Sequence, residues 1–332
     1  MLEDRKTIVK MLEPQFLDKP IFVAGRGGWG RYIAKPNHFT GYTLCSRSSK
    51  NKLVDLLKPV SLADQGEMME YVRELKRMEK GRAPYRGRSP QISKRLDVMR
   101  YISEVCSSEE YEDETLIHCI YLYDRFCDEH EIHLAQLCLV ALTCLVISAK
   151  IHENDSRTPD IRKIVRHLPV TMTNKVKMVV AMEKMVLTFF KFKVIIPTEV
   201  NFMDCYHCFV LDGFGTPIFY LLYKHENKKP YNGTGAEMMR ETNALLREVT
   251  KSLAMLTPSP ADGRYNCSLI AAAILMYVRK RVKLNFWTGQ LSHITGHSYE
   301  DVLHCLNYFV KPILNINNST GDSLDDPVFL NL

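Results

Sequence analysis

Two segments of the chain are apolar on every side of a helix, and they constrain the fold more than any other feature. The first runs from about His133 to Lys150, and the second, Leu269–Val278, contains three consecutive alanines at 271–273. A helix without a polar face has to be surrounded by other elements rather than lie on a surface. We therefore expect two units, each packed around one buried central helix.

The sequence from about residue 62 onward repeats apolar residues at helical spacing almost throughout. Met68, Val72, Leu75 and Met78 form the apolar stripe of one short amphipathic helix. Five helices are predicted between residues 91 and 192, with Asp113, Thr158 and Thr173 as N-caps. Further helices are predicted at about 199–209, 214–224, 234–256, 262–283 and 298–314. No strand–helix alternation is present, so the pattern predicts an all-α fold of two five-helix units.

Charge and hydropathy indicate which partners to expect. The net charge of +6 arises in residues 1–60, where eleven Lys and Arg face five Asp and Glu, so residues 61–332 sum to zero. A double-stranded nucleic-acid binder needs a basic face on its folded body. The longest uninterrupted apolar stretch, Leu269–Val278, is half of what a bilayer-spanning helix needs. We therefore expect neither a nucleic-acid nor a membrane partner.

The first twenty residues and the cysteines suggest an intracellular protein. Charged residues are spread through the N-terminal segment, which leaves no apolar core for a signal peptide. Ten cysteines in such a chain are expected to be reduced thiols rather than a disulfide framework.

Motifs for catalysis or for metal binding are weak. Cys205 and Cys208 form a lone CxxC pair without the second pair that a structural zinc needs. The glycine-rich stretch at residues 25–30 is followed by Pro36 rather than by the helix of a dinucleotide site. We expect no catalytic residue, no metal, no cofactor and no small-molecule ligand.

Short motifs in the first predicted unit occur in a recognisable order. They are Lys94-Arg95-Leu96-Asp97-Val98, Glu114-Thr115-Leu116, Tyr123-Asp124-Arg125-Phe126, Ser148-Ala149-Lys150 and Met182-Glu183-Lys184, followed by Pro197-Thr198. Together they resemble the first box of the cyclin family. The link at 85–93 and the run Ser268–Ala273 are similar to the cyclin J subfamily. The resemblance covers about residues 65–315 and is stronger in the first half than in the second.

The resemblance implies a cyclin fold of two tandem five-helix domains. The expected divisions are a basic, poorly ordered extension at 1–60, an N-terminal helix and linker at 61–90, a first cyclin box at 91–196, a second at 197–316 and a tail at 317–332. It also implies a regulatory subunit rather than an enzyme. Such a subunit would bind and activate a cyclin-dependent serine/threonine kinase in cell-cycle control, in the nucleus and cytoplasm.

Two other functions stay open at this point. One is a scaffold that binds proteins through a cyclin fold without activating a kinase. The other is a cyclin-fold transcription factor, which the neutral charge of residues 61–332 disfavours.

The resemblance assigns a kinase-binding role to seven residues. Lys150 and Glu183 match the lysine and glutamate with which cyclins contact the kinase backbone around its C-helix. They are charged residues in otherwise apolar helices, so a structural ion pair is the alternative interpretation. The apolar residues implied at the same face are Leu187, Phe192 and Val194, of which Leu187 also suits the core. Tyr71 and Leu75 match the N-terminal helix, which is expected to pack beside the first box and add kinase contacts.

Two further sets of residues are implied by the resemblance. Arg95 and Asp124 match a buried ion pair that joins the first two helices of the box, and we assign it to stability alone. The substrate-docking patch of cell-cycle cyclins corresponds to Lys94, Val98, Tyr101, Glu104 and Cys138. Lys94, Tyr101 and Cys138 replace the methionine, tryptophan and glutamine of that patch, so we expect it to be degenerate. His152 likewise stands where the family often has glutamate.

Overall fold

A computed structural model describes residues 62–83, 85–210, 235–258, 260, 264–281 and 287–315. The predicted extension at 1–60, the predicted helix at 214–224 and the predicted tail at 317–332 lie outside the described residues. Within the described part of the chain, all regular structure is helical and no strand occurs. The predicted all-α class is confirmed.

An N-terminal helix is followed by a first unit of five α-helices, as the periodicity predicts. The bounds are α1 Leu62–Lys80, α2 Arg95–Ser108, α3 Asp113–Glu129, α4 Leu137–His152, α5 Ile161–Ile164 and α6 Lys175–Phe189. Short 3-10 turns lie directly before α2, directly before α4 and directly after α5.

The second unit repeats the same plan with more irregular helices. The bounds are α7 Glu199–Val210, α8 Gly235–Leu256, α9 Cys267–Arg281, α10 Gly289–Thr295, α11 Tyr299–Cys305 and α12 Lys311–Asn315. A π-helical turn at Leu306–Val310 joins α11 to α12 without a break.

The two apolar segments are the central helices of two hydrophobic cores. In the first unit, α4 packs against α2, α3 and α6, and in the second, α9 packs against α7, α8, α10 and α11. The segment Leu134–His152 is long and apolar enough in composition to cross a membrane, but two-thirds of its most apolar window is buried inside the protein. Its apolar side chains are used for helix packing.

The N-terminal helix α1 packs on the second unit, so the prediction that it lies beside the first is wrong. Val72 and Leu75 are buried in the core of the second unit. The carboxylate of Glu79 accepts hydrogen bonds from the backbone N–H and the hydroxyl of Ser268, at 2.7 and 2.8 Å. Ser268 lies in the first turn of α9, where unpaired N–H groups and the helix dipole favour an anion. This interaction explains the docking site of α1.

Three predicted helix caps are wrong in detail. Asp160 rather than Thr158 caps α5, because its carboxylate accepts a hydrogen bond from the N–H of Arg162 at 2.9 Å. The N-cap of α6 is Asn174 in a left-handed conformation, and α3 begins after Glu112. Neither of these two caps makes a side-chain hydrogen bond. In both cases the observed N-cap lies one residue away from the predicted one.

Helix α10 was not predicted, although its end signals are present in the sequence. Thr288 accepts a hydrogen bond from the N–H of Leu291 at 3.2 Å and caps the helix. Gly296 ends it with a φ of 63°, a conformation that glycine adopts without steric cost. The helix has only seven residues, which is too few for a clear apolar period.

Candidate functional site

Lys150 and Glu183 meet at the surface of the first unit. Lys150 lies near the end of α4, whose preceding residues are buried, and Glu183 lies in the second half of α6. The ammonium nitrogen donates to a carboxylate oxygen of Glu183 at 2.6 Å, and the two side chains are 35% and 16% exposed. Residues 33 positions apart are thus joined into one charged pair.

This pair can also engage further groups. An ammonium has three N–H donors and a carboxylate has several acceptor positions. Lys150 can therefore donate to a second acceptor, and Glu183 can accept from a second donor, while their mutual bond is kept. Ion pairs between solvent-exposed side chains add only about 0–1 kcal/mol to folding stability, and the lysine of this pair is exposed, whereas its carboxylate partner is half-buried. The pair is better suited to a contact with a partner than to holding the fold.

The loop after α6 has an unusual backbone. Lys191 and Phe192 both have positive φ values, 50° and 59°. The N–H of Phe192 donates to the carbonyl of Leu187 at 2.8 Å, and the N–H of Lys191 donates to that of Thr188 at 2.9 Å. These two bonds form a Schellman motif, in which glycine usually occupies the left-handed position that Lys191 takes here.

The result of this loop geometry is an exposed apolar pair. Phe192 is 59% exposed and Ile195 is 58% exposed, although both are large apolar residues. Left-handed non-glycine residues cost about 1–3 kcal/mol each and persist where surrounding interactions hold them. Strain of this kind concentrates at binding sites and other functional segments. The chain thus holds Phe192 in solvent against both its backbone preference and its hydropathy.

The exposed apolar surface continues along α6. Val176, Val180, Glu183 and Leu187 recur at spacings of four, three and four residues, which places them on one face of the helix. Val176 and Val180 are exposed, and Leu187 is partly buried against the first core. We call the set Lys150, Val176, Val180, Glu183, Phe192 and Ile195 the α4–α6 surface.

A buried histidine lies directly beneath this surface. One ring nitrogen of His118, Nε2, is 2.8 Å from the carbonyl oxygen of Val194, and the other, Nδ1, is 2.9 Å from the hydroxyl of Ser148. His118 is fully buried in α3. Burial, with a smaller contribution from the neighbouring His152, lowers the pKa of His118 to about 3. The imidazole is therefore neutral and connects α4 to the loop after α6.

His152 belongs to a second polar network at the same end of the unit. Its Nδ1 is 3.3 Å from a carboxylate oxygen of Glu114, which also accepts from the amide of Asn201 at 2.5 Å. Asn201 in turn accepts from the N–H of Thr198 at 2.8 Å. Burial alone would raise the pKa of Glu114, but the bonds from His152 and Asn201 outweigh burial and lower it. The replacement of the expected glutamate by His152 thus gives Glu114 a partner.

Comparison with known proteins identifies the family. The model of the cyclin N-terminal domain matches residues 67–195, and that of the cyclin C-terminal domain matches residues 261–325. The chain belongs to the cyclin family. The predicted cyclin fold is confirmed, and cyclins are regulatory subunits rather than enzymes.

Similar cyclins include members of the J group. Cyclin-J of Xenopus laevis is 25% identical over 234 residues, which is 67% of this chain and 56% of that protein. Cyclin-J of Homo sapiens is 28% identical over 152 residues, 43% of this chain and 39% of that protein. The matched region therefore spans about half of the Xenopus protein and less than half of the human one.

A solved structure supports the fold independently. A viral cyclin from herpesvirus saimiri matches with a TM-score of 0.54 and covers 74% of this chain and 96% of its own. Its sequence identity is 13%, so this likeness shows the fold alone.

The structure separates the seven residues that the cyclin resemblance assigned to kinase binding. Lys150, Glu183 and Phe192 lie at the surface, and Leu187 is half-buried. Val194 and Leu75 are buried in the first and second cores, so the expectation that their side chains face a partner is wrong. Val194 instead offers its carbonyl to His118. Tyr71 is half-buried against the second core, and burial raises the pKa of its hydroxyl.

The predicted docking patch does not form an exposed apolar surface. Lys94 and Glu104 are exposed but charged, whereas Val98 is buried. The ring of Tyr101 packs on the first core, and its hydroxyl donates to the carbonyl of His167 at 3.3 Å. Cys138 is half-buried, and burial raises the pKa of its thiol to about 11. The degeneracy of this patch for substrate docking stays a prediction.

Arg95 and Asp124 form a bidentate pair, with N–O distances of 2.7 and 2.8 Å, in a buried setting. The same guanidinium also donates to the carbonyls of Ala254 and Met255, both at 2.7 Å. These carbonyls lie in the last turn of α8, where the helix leaves acceptors without an intrahelical partner. The pair therefore joins α2 to α3, as expected, and also joins the first unit to the second.

Sequence reasoning missed His118 and the left-handed loop. A signal for the histidine exists, because His118 is a polar residue one turn after Thr115, between the apolar residues Ile117 and Cys119 of the same helix. The loop has no such signal, since neither Lys191 nor Phe192 is a residue type that favours positive φ.

Proposed function

We propose that this cyclin binds a cyclin-dependent serine/threonine kinase through the α4–α6 surface and activates it in cell-cycle control. The observation that carries the proposal is the Lys150–Glu183 pair, set beside the exposed side chain of Phe192. Family membership supports the regulatory role.

The chemistry of the α4–α6 surface suits such a partner. Lys150 and Glu183 together offer a donor and an acceptor, which matches a helix or loop backbone that presents both carbonyl and N–H groups. Phe192, Ile195, Val176 and Val180 supply apolar contact area around the charged pair. Interfaces gain most of their binding energy from a few buried anchors, among which aromatic residues are enriched.

Activation follows from selective binding. A protein kinase is competent only when an ion pair between a strand lysine and a glutamate of its C-helix is formed. A cyclin that binds only the arrangement with this ion pair shifts the kinase population toward it. The cyclin then needs no catalytic residue of its own.

The decisive experiment is a charge-swap series measured by co-purification from cells and by kinase activity. The variants are Lys150→Glu, Glu183→Lys and the double variant that carries both changes. Each single reversal is expected to abolish recovery of an active kinase, since truncating or reversing a buried interfacial charge costs about 2–5 kcal/mol. The double variant restores the internal ion pair but presents reversed charges to the partner, so we expect it to fail as well.

Rescue by the double variant would instead make the pair a purely structural one and contradict the proposal. The matched control is the same swap at Arg157 and Glu112, another surface pair at 3.3 Å, which should leave kinase recovery unchanged. Recovery of a protein partner without kinase activity from wild type would favour the scaffold function. Salt-sensitive binding to duplex DNA would favour the transcription-factor function.

We propose the nucleus and cytoplasm as the place of action, because the partner is expected there. Fluorescence microscopy of the tagged full chain tests this location, and exclusion from the nucleus would contradict it.

A further inference from the structure

We infer that His118 is a positioning residue that holds the two halves of the α4–α6 surface in one arrangement. One half is α4 with Lys150, and the other is the loop with Phe192 and Ile195. A single buried imidazole bonds to both elements, through Ser148 and through the carbonyl of Val194. The inference rests on the proposed function, because it assigns the purpose of this arrangement to kinase binding.

The direction of both hydrogen bonds follows from their partners. A carbonyl oxygen only accepts, so Nε2 of His118 must carry the proton and donate to Val194. A neutral imidazole then has a lone pair at Nδ1, which accepts from the hydroxyl of Ser148. Each ring nitrogen thus has one role, and the histidine acts as a two-sided connector in a site without solvent.

Each bond acts next to residues of the surface. Ser148 is buried two positions before the exposed Lys150, so its bond fixes the rotation of the turn that presents the lysine. Val194 is buried between the exposed Phe192 and Ile195. Its bond to His118 fixes the middle of a loop whose side chains on either side point to solvent.

The far end of the loop has its own anchor. Thr198 is bound through Asn201 to Glu114, which also contacts His152. The near end is held by the Schellman bonds of Lys191 and Phe192. Loss of the His118 bond is therefore expected to release the middle of the loop without unfolding its ends.

A buried histidine can also serve the core alone, and two substitutions separate the two roles. The amide nitrogen of a glutamine reaches the position of Nε2, so His118→Gln keeps the donor to Val194. The amide of an asparagine reaches only the position of Nδ1. His118→Asn therefore keeps the contact with Ser148 and loses the hydrogen bond to the carbonyl of Val194. Both replace a buried imidazole by an amide, and we expect both to lower the melting temperature to a similar extent.

The test measures binding and loop order in the full chain. Binding is titrated against a panel of purified cyclin-dependent kinase catalytic subunits, using the one that wild type binds most tightly. His118→Asn is expected to weaken binding about tenfold, because the binding-competent loop is then a minor state. His118→Gln keeps the loop bond and gives up only the bond to Ser148, so we expect it to weaken binding less than His118→Asn does. Amide hydrogen exchange at Lys193, whose N–H donates to the carbonyl of Phe190 at 2.9 Å beside Val194, is expected to accelerate in the Asn variant only.

The outcomes separate this inference from the proposed function. Wild-type affinity and wild-type exchange in both variants would overturn the positioning role while leaving kinase binding intact. No binding of wild type to any kinase of the panel would overturn the proposed function and the purpose assigned to His118. Faster loop exchange with unchanged affinity would show that the loop is ordered by His118 but that its order is not needed by the kinase, which also overturns the inference.

Discussion

The central helices of the two units are built alike but end differently. Both α4 and α9 are buried along nearly their whole length. Helix α4 ends with Lys150 at the surface, paired with Glu183. Helix α9 has its last-turn Arg279 buried, and its first turn binds Glu79 of the N-terminal helix. The end of α4 thus carries a charged residue toward solvent, whereas the first turn of α9 binds a residue of its own chain.

This difference shows where a partner site can arise in a repeated architecture. A central helix has to keep its sides apolar, so only its ends are free to carry polar groups. In the second unit the polar groups of the first turn are used internally, since Ser268 bonds to Glu79 and lies 3.1 Å from His297. In the first unit the charged end stays exposed and is surrounded by apolar side chains that also stay exposed.

The junction between the units gives the largest expected effect. Replacing Arg95 by leucine leaves Asp124 buried without its cation and two carbonyls of α8 without their donor. We expect a loss of about 3–5 kcal/mol in the free energy of unfolding, measured by chemical denaturation. Arg100→Leu, an exposed arginine of the same helix, is the control. If Arg95→Leu lowers the free energy of unfolding by no more than Arg100→Leu does, the junction does not contribute to stability and the two units are stabilised independently.

The docking of α1 on the second unit gives the next effect. Glu79→Ala removes the acceptor of two hydrogen bonds at the start of α9, and we expect a loss of about 1.5–3 kcal/mol in the free energy of unfolding, the range for hydrogen bonds to charged groups. Thermal and chemical unfolding measure it, and Glu74→Ala on the exposed side of the same helix is the matched control. Faster proteolysis of α1 in Glu79→Ala, but not in Glu74→Ala, would show that the bond to Ser268 holds α1 on the second unit. Equal stability of the two variants would show that α1 is held by its apolar stripe.

Two histidines, the buried His118 and the half-buried His297, predict a loss of stability in acid. Burial lowers the pKa of His118 to about 3 and that of His297 to about 4. Because the folded protein disfavours the protonated form, each contribution is present above the unfolded pKa of about 6.5 and is lost as the pH falls below it. Between pH 7 and pH 5 each histidine should lower the free energy of unfolding by about 2 kcal/mol.

Chemical denaturation of wild type, His118→Gln and His297→Gln at both pH values tests this prediction. Each variant should show a pH dependence about 2 kcal/mol smaller than that of wild type. The titratable groups that influence the pKa of His118 are His152, Glu114 and Arg82, and those that influence the pKa of His297 are Lys76 and Asp301. An unchanged pH dependence in one variant would show that the histidine of that unit is hydrated rather than buried.

The exposed pair should give the smallest effect on folding. Lys150→Ala is expected to change the free energy of unfolding by less than about 1 kcal/mol, because the lysine is on the surface. The same variant should lose kinase binding by about 2–5 kcal/mol if the charge is buried in the complex. Chemical denaturation and a binding titration of the same Lys150→Ala preparation measure the change in folding free energy and the change in binding free energy. A large loss in the free energy of unfolding would show that the end of α4 stabilises the protein through contacts within the chain, as the first turn of α9 does.

Much of the fold could be predicted because periodicity is a local property. The helices of the first unit and the burial of α4 and α9 follow from apolar spacing alone, and the cyclin resemblance places Lys150 and Glu183 on one face. The docking of α1 could not be predicted in this way. It depends on Glu79 reaching Ser268, 189 positions away, and an amphipathic stripe does not specify which unit it covers.

The same reasoning explains what was missed at the candidate site. Val194 and Phe192 are both apolar and lie two positions apart, so the sequence suggests equal roles. The left-handed backbone at Lys191 and Phe192 and the bond from His118, 76 positions away, turn one inward and the other outward. These features arise from tertiary contacts, to which local propensity has no access.

The position of Arg95 has a consequence for how the whole molecule melts. Its guanidinium is shared between a carboxylate of one unit and the terminal carbonyls of the other, so neither unit can open without disrupting the other. Two repeats joined only by a flexible connection would be expected to give two calorimetric transitions. Here a single cooperative endotherm is expected, with equal calorimetric and van't Hoff enthalpies.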